Sequence, residues 1–382
     1  MLFRKLGRTG LDVGIIGLGT EHLEYEPYEV IKPIVDEAMD HGANYIDLFM
    51  ASPGVRDNFG AALKGKRHNA VIAGHLGAAQ KDGQYFRTRD KDICEKYFND
   101  LLARLNTDYI DILMLHFIDE ADDYQFATGG SGFLETALKF KREGKARYIG
   151  LSSHKVPVAL AAVESSLIDV LMFPVNPAFD ILPGETELEA LWKADPYQAM
   201  EMEDCRPSVG RKELFLTCEK LGVGIVAMKT YAGGWIFWEN NPSSIVLTPA
   251  QCIHYSLSQP GVCTVVPGCK TLDHMKSALR YLDASEEEKD YTGKISKTKW
   301  NLKGNCMYCN HCLPCPQGIN IAAVTRLLDA ARSGLSDSLR SGYEKLGCKA
   351  SDCVRCGVCM ERCPFGVDIL ENMERAANIF ER

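Results

Sequence analysis

Tyr109-Ile110-Asp111-Ile112-Leu113-Met114-Leu115-His116 is an almost unbroken apolar run that ends on a histidine. A strand wet on one face alternates polar with apolar residues, whereas a parallel strand covered on both faces does not. The run therefore reads as a buried parallel strand. Seven more runs of this kind flank it: Gly14–Leu18, Asn44–Leu48, Ala70–His75, Ala146–Leu151, Asp169–Val175, Val223–Met228 and Cys263–Val266. Helical patterns lie between them, near Ile31–His41, Asp90–Leu105, Phe133–Glu143, Val156–Ser165, Arg211–Lys220 and Pro249–Ser258. In the second of these, Ile93, Cys94, Tyr97, Phe98, Leu101, Leu102 and Leu105 form one apolar stripe. Eight strands, each followed by a helix, predict an α/β fold of the (β/α)8 barrel type. The alternative is a doubly wound open sheet. It calls for a G-x-G-x-x-G turn after an early strand, and none is present.

The 382 residues suit one large domain and one small one. We expect a barrel over 1–284 and a smaller domain over 285–382. A composition 46% hydrophobic and 25% charged is that of a soluble globular protein. A net charge of −8 argues against nucleic acid or an anionic membrane as partner. The opening stretch is not expected to be a signal peptide, because Asp12 and repeated glycines break its apolar run. The expected compartment is a reducing cytoplasm. Pro177 to Val209 has no clear period and reads as a long insertion over the active-site end of a barrel.

Eight of the fifteen cysteines fall in two short runs near the end. Cys306, Cys309, Cys312 and Cys315 precede Pro316; Cys353, Cys356, Cys359 and Cys363 precede Pro364. The second run is C-x2-C-x2-C-x3-C-P, a spacing used for iron–sulfur clusters. The first differs by one residue fewer before its last cysteine. Three thiolates two residues apart wrap one face of a cubane cluster, and the cysteine before proline ligates the other cluster. One [4Fe–4S] is thus expected on Cys306, Cys309, Cys312 and Cys363. A second is expected on Cys353, Cys356, Cys359 and Cys315. Zinc is satisfied by four ligands, commonly two distant C-x2-C pairs, and disulfides fit poorly with the absence of a secretory signal. Helices over Ile319–Arg332 and Leu335–Leu346 are needed to bring Cys315 and Cys363 back. This last quarter resembles the dicluster ferredoxin domain. Cys94, Cys205, Cys218, Cys252, Cys263, Cys269 and Cys348 read as small buried residues.

The first 280 residues carry a second resemblance. Phe3 to Leu11 followed by Gly17-Leu18-Gly19-Thr20 is similar to the opening of an aldo/keto reductase. So are Tyr45-Ile46-Asp47, Asp108-Tyr109-Ile110-Asp111 running to His116, Gly150-Leu151-Ser152-Ser153, and Val265-Val266-Pro267-Gly268. The resemblance implies NADPH-dependent carbonyl reduction with an Asp, Tyr, Lys, His tetrad. Asp47 matches the aspartate and His116 the histidine. Ser52 stands where the tyrosine is expected, and His75 where the lysine is expected. Serine is a poor general acid near neutral pH, so His75, held by Asp47, becomes the candidate acid. Tyr85, in the loop after strand three, is a second candidate donor.

The resemblance also implies a dinucleotide on the loops after strands seven and eight. Met228, Lys229, Gly233, Gly234, Gly268, Lys270 and Thr271 are the candidate contacts, with Gly19 and Thr20 beside them. Ser152, Ser153 and Asn176 match residues that meet the nicotinamide, whereas Met172 stands for a glutamine. NADP(H) is thus the first expectation. FMN is the second, because hydride moves two electrons, each cluster moves one, and a flavin bridges the two. The expected function is an iron–sulfur oxidoreductase acting on a small organic substrate, with a ferredoxin-like or other redox partner. A non-catalytic electron-transfer module is the rival class.

Overall fold

The computed structural model describes residues 1–181, 209–239, 241, 245–296 and 303–381. Its centre is an eight-stranded parallel sheet: β1 (Leu18–Gly19), β2 (Tyr45–Leu48), β3 (Val71–Leu76), β4 (Ile110–Leu115), β5 (Ala146–Ser152), β6 (Val170–Pro174), β7 (Gly224–Met228) and β8 (Val262–Val265). The sheet closes on itself. Ile16 bridges Val265 and Gly19 bridges Gly268, both in parallel sense. Seven strands lie within a residue or two of the expected runs. The first is shorter and later, because Asp12–Gly14 pairs antiparallel with Phe3–Lys5 instead. That hairpin and the turn it carries set Leu6, Leu11 and Val13 against the apolar layer inside the barrel.

Period-two alternation decides what the barrel contains. Tyr45, Val71, Ala73, Ile112, Met114, Val170, Met172 and Val226 form one apolar cluster inside it. Two residues further along β2, β3 and β4, the same parity puts Asp47, His75 and His116 at the strands' C-terminal ends. The odd-numbered neighbours on β4, such as Leu113 and Leu115, join a larger cluster with the surrounding helices. Each fully buried Leu or Phe there is worth about 1.5–3 kcal/mol. The six expected helices are present, for example Lys91–Arg104 and Pro249–Ser258.

A second hairpin, Ala78–Lys81 with Gln84–Arg87, follows β3 where only a loop was expected. Its turn residues Asp82 and Gly83 both have positive φ, 52° and 77°. That is the conformation a two-residue hairpin turn requires. The Tyr97 hydroxyl donates to the Gln80 carbonyl and pins the hairpin to helix Lys91–Arg104.

Beyond β8 the chain is helical, with main segments Ile321–Ala330, Asp337–Glu344 and Ile369–Phe380. The first two match the expected helices between the cysteine runs; the third was not anticipated. One apolar cluster runs from Phe179 and Ile181 after β6, and Ala232 and Ile236 after β7, into Ile321, Val324, Leu328 and Met373. The cysteine-bearing portion therefore packs against loops at the C-terminal ends of the strands. Cys94, Cys218, Cys252, Cys263 and Cys269 are buried as expected, whereas Cys348 is only half-buried. Cys205 and most of the insertion, residues 182–208, lie outside the described residues. Among the described residues no helix is long and apolar enough to cross a membrane.

Candidate active site

Four side chains form one hydrogen-bonded file across the barrel mouth. Asp47 Oδ1 lies 2.9 Å from His75 Nε2. His75 Nδ1 lies 2.8 Å from His116 Nδ1. His116 Nε2 lies 2.6 Å from the Tyr85 hydroxyl. The inner three are buried; Tyr85, on the added hairpin, is 38% exposed. Thr20 Oγ1 donates to the Asp47 carbonyl and steadies that strand end. Phe49 lies nearly parallel to His116, ring centroids 5.5 Å apart.

Taking Asp47 as the carboxylate, only a few hydrogen placements give every contact one donor. In one, both histidines are neutral: Tyr85 donates to His116, His116 Nδ1–H to His75, and His75 Nε2–H to Asp47. Adding one proton reverses the outer links. His75 is then imidazolium, His116 donates through Nε2 to the Tyr85 oxygen, and the Tyr85 hydrogen is free to point outward. The charge does not rest on His116. Burial, then His75, Arg89, Arg87 and His154, hold its pKa well below the ordinary histidine value. Burial pushes the Tyr85 phenol up to about 12, against the pull of Arg87 and Arg89 and with a smaller push from Glu21. The phenol thus keeps its proton across the working range, yet remains a stronger acid than an alcohol. Both His75 nitrogens are engaged inside the file, so the outermost donor is Tyr85. Ser52 is buried at the start of helix Pro53–Ala62.

His116 also links stability to pH. Its folded pKa is depressed, so the unfolded chain binds its proton more tightly. The stability it contributes is present above about pH 6.5 and is lost as pH falls through that value. Melting curves between pH 7 and pH 5 should fall more steeply for wild type than for His116→Phe. The difference should reach at most about 1.4 kcal/mol per pH unit. Equal slopes would mean that His116 does not stay neutral in the folded protein.

The expected cofactor contacts are dispersed over the mouth. The Phe117 amide donates to Ser152 Oγ. Ser153 Oγ donates to Asp119, which also accepts from the His154 amide and pairs with the His154 ring. Asn176 is occupied at both ends of its amide: Oδ1 accepts from Phe179 N–H, and Nδ2 donates to the Lys229 carbonyl. Met172 is buried in the barrel interior, and Met228 packs against it from the end of β7. Gly233 and Gly234 have φ of 69° and 91° in the loop after β7, so their amides turn as larger residues rarely allow. Lys270 is exposed, and Thr271 caps helix Leu272–Leu279 by accepting from His274 N–H. Gly19 and Gly268 are packing positions: a Cβ on Gly19 would meet the Val266 carbonyl at 2.9 Å. Phe49, Phe117, Asp119 and His154 were not singled out from sequence, although each stands at or just past the end of a recognised strand.

The family model of the aldo/keto reductases matches residues 13–251. The chain belongs to the aldo/keto reductase family. The Bacillus subtilis uncharacterized oxidoreductase YqkF is 26% identical over 295 residues, 75% of this chain and 93% of that protein. L-galactose dehydrogenase of Arabidopsis thaliana is 29% identical over 201 residues, 47% of this chain and 60% of that one. In structure, the holo form of aldo-keto reductase AKR11C1 from Bacillus halodurans superposes with a TM-score of 0.59 at 22% identity, covering 77% of this chain and 96% of its own. This aldo/keto reductase is therefore an oxidoreductase of that class on the corresponding barrel. The family match ends before the cysteine runs.

Two cavities lie among those cysteines. One is lined by Cys306, Cys309, Cys312 and Cys363. The other is lined by Cys312, Cys315, Cys353, Cys356 and Cys359. Both are open to solvent. Among the described residues, no group of three or more His, Cys, Asp or Glu is gathered to hold a single metal ion. In both runs the left-handed residues occupy matching places, Tyr308 and Asn310 in the first and Arg355 and Gly357 in the second. Such turns aim successive amides into a concavity suited to anions, iron–sulfur centres among them.

Proposed function

We propose that this aldo/keto reductase reduces the carbonyl group of a small organic molecule, with Tyr85 as the general acid. The observation that carries the reading is the file Tyr85–His116–His75–Asp47 at the family's active-site end of the barrel. As the carbonyl carbon gains hydride, its oxygen becomes an alkoxide and takes the Tyr85 proton. Tyr85 takes the Nε2 proton of His116, and His116 takes the Nδ1 proton of His75. The file returns to its neutral arrangement, and one proton from the His75–Asp47 pair has emerged at the substrate. Other aldo/keto reductases use a lysine beside the tyrosine. Here a relay supplies the proton, and a third βα loop supplies the phenol.

NADP(H) is the family's usual cofactor, and when bound it would supply the hydride. Gly233, Gly234, Lys270 and the helix start after Thr271 are the residues to hold its phosphates. A second reading, FMN in the same loops, is favoured by Asn176, whose amide is already committed, and by Met172, which offers no hydrogen bond to a carboxamide. Protein purified without oxygen and then denatured distinguishes the two. The first reading expects no flavin absorbance in the released fraction and carbonyl reduction that requires NADPH. A yellow flavin spectrum would replace it with the second.

We further propose that residues 285–382 form a ferredoxin-like module with two [4Fe–4S] clusters. The support is the pair of cavities, each lined by the four cysteines of one expected set. When bound, the clusters would supply single electrons exchanged with a redox partner. Lys212, on a barrel helix, pairs with Asp329, which accepts the Tyr308 hydroxyl between two cysteines. This contact seats the first cysteine loop on the barrel. Cytoplasmic residence follows from the same cluster chemistry and stands as part of the proposal.

A further inference from the structure

Arg87 sits two residues beyond Tyr85 on one strand of the added hairpin. Residues two apart on a strand project from the same face. The guanidinium therefore shares its side of the hairpin with the phenol. It lies over the Phe117 ring, 4.1 Å from the centroid. Arg89 lies two residues further along the chain. Arg89 is consumed by structure: it bonds both Asp123 carboxylate oxygens and the Phe117 carbonyl. Among the described residues, no hydrogen bond or ion pair engages the Arg87 guanidinium. Phe117 is itself held in place, with φ of +48° and its amide bonded to Ser152.

A ring face holds a guanidinium without using its N–H donors. The planar fork stays available for a carboxylate, which it can bind through two parallel bonds. Their Cα atoms lie roughly 7 Å apart along the strand, a span that side chains of this length can close. Phe49, Phe117 and Tyr85 add apolar walls to the same mouth.

Resting on the reading of Tyr85 as the acid, we propose that the substrate is an oxo acid, whose carboxylate is bound by Arg87 while its carbonyl oxygen meets Tyr85. Arg87 is then the residue that selects acidic over neutral carbonyl compounds.

The test uses binding without turnover, so that it is independent of the relay. Benzoate and benzamide are titrated calorimetrically into the full chain purified without oxygen. Benzoate is expected to bind, and benzamide to bind at least about tenfold more weakly, since charge-assisted bonds are about twice as strong as neutral ones. Arg87→Leu should abolish this preference, Arg87→Lys should keep part of it, and Tyr85→Phe should leave it in place. The proposal is overturned if benzoate binds wild type and Arg87→Leu equally, or binds neither. Should Tyr85→Phe keep full activity while the benzoate preference stands, the relay reading fails and the anion site survives.

Discussion

Tyr85→Phe is expected to lower kcat for carbonyl reduction by about 10²–10⁴-fold, the usual contribution of a positioned general acid. The substitution removes one oxygen at the exposed end of the file. It leaves Asp47, His75 and His116 buried and bonded to one another as before. KM should change little, because the lost interaction strengthens only as the alkoxide forms. His75→Leu should impair the same step for a different reason. The acid would remain, but the proton behind it would be gone, and the Asp47 carboxylate would be left buried without its partner. Such a loss also costs stability, about 1–3 kcal/mol or more for a buried charged acceptor left without its donor. Thermal unfolding therefore separates the two variants. Tyr85→Phe should melt with wild type, and His75→Leu well below it. If both variants turned over at the wild-type rate, the file would be structural only.

The second large effect concerns the cysteines. Protein handled without oxygen is expected to carry about eight irons per chain, two clusters of four. Burial pushes the thiols of Cys306 and Cys312 up to about 12. A bound centre must displace those protons, so removing the centre leaves half-buried thiols that take them back. The proposed sets pair the first three cysteines of each run with the last cysteine of the other, and each set lines one cavity. Cys309→Ala and Cys363→Ala should each remove about four irons, and the double variant should lose no more. Cys363→Ala combined with Cys356→Ala should lose nearly all. Additive loss in the first pair, or zinc in place of iron and sulfide, would contradict the assignment.

The barrel was legible because parallel strands buried on both faces leave continuous apolar runs, as Tyr109–His116 does. The first strand was misplaced because Val13 to Leu18 serves two partners in turn, antiparallel and then parallel, and composition does not mark the switch. Asp47, His75 and His116 could be read from their places at strand ends. Their connection could not, since it depends on which way two imidazoles face. The hairpin that delivers Tyr85 was missed although its signal was present. Lys81-Asp82-Gly83-Gln84 contains an Asp-Gly dipeptide of the kind that closes two-residue turns, but the polar flanks masked the alternation. The insertion after Ile181 is aperiodic, and propensity says nothing of where it lies.

The central claim is that the proton reaching the substrate is the one on Tyr85. It is tested most directly by placing a fluorinated tyrosine, a stronger acid of nearly the same shape, at position 85 and following kcat/KM against pH. The account predicts that the level of the profile changes in step with the acidity of the new phenol. A profile identical to wild type would contradict it and return the role of acid to another group.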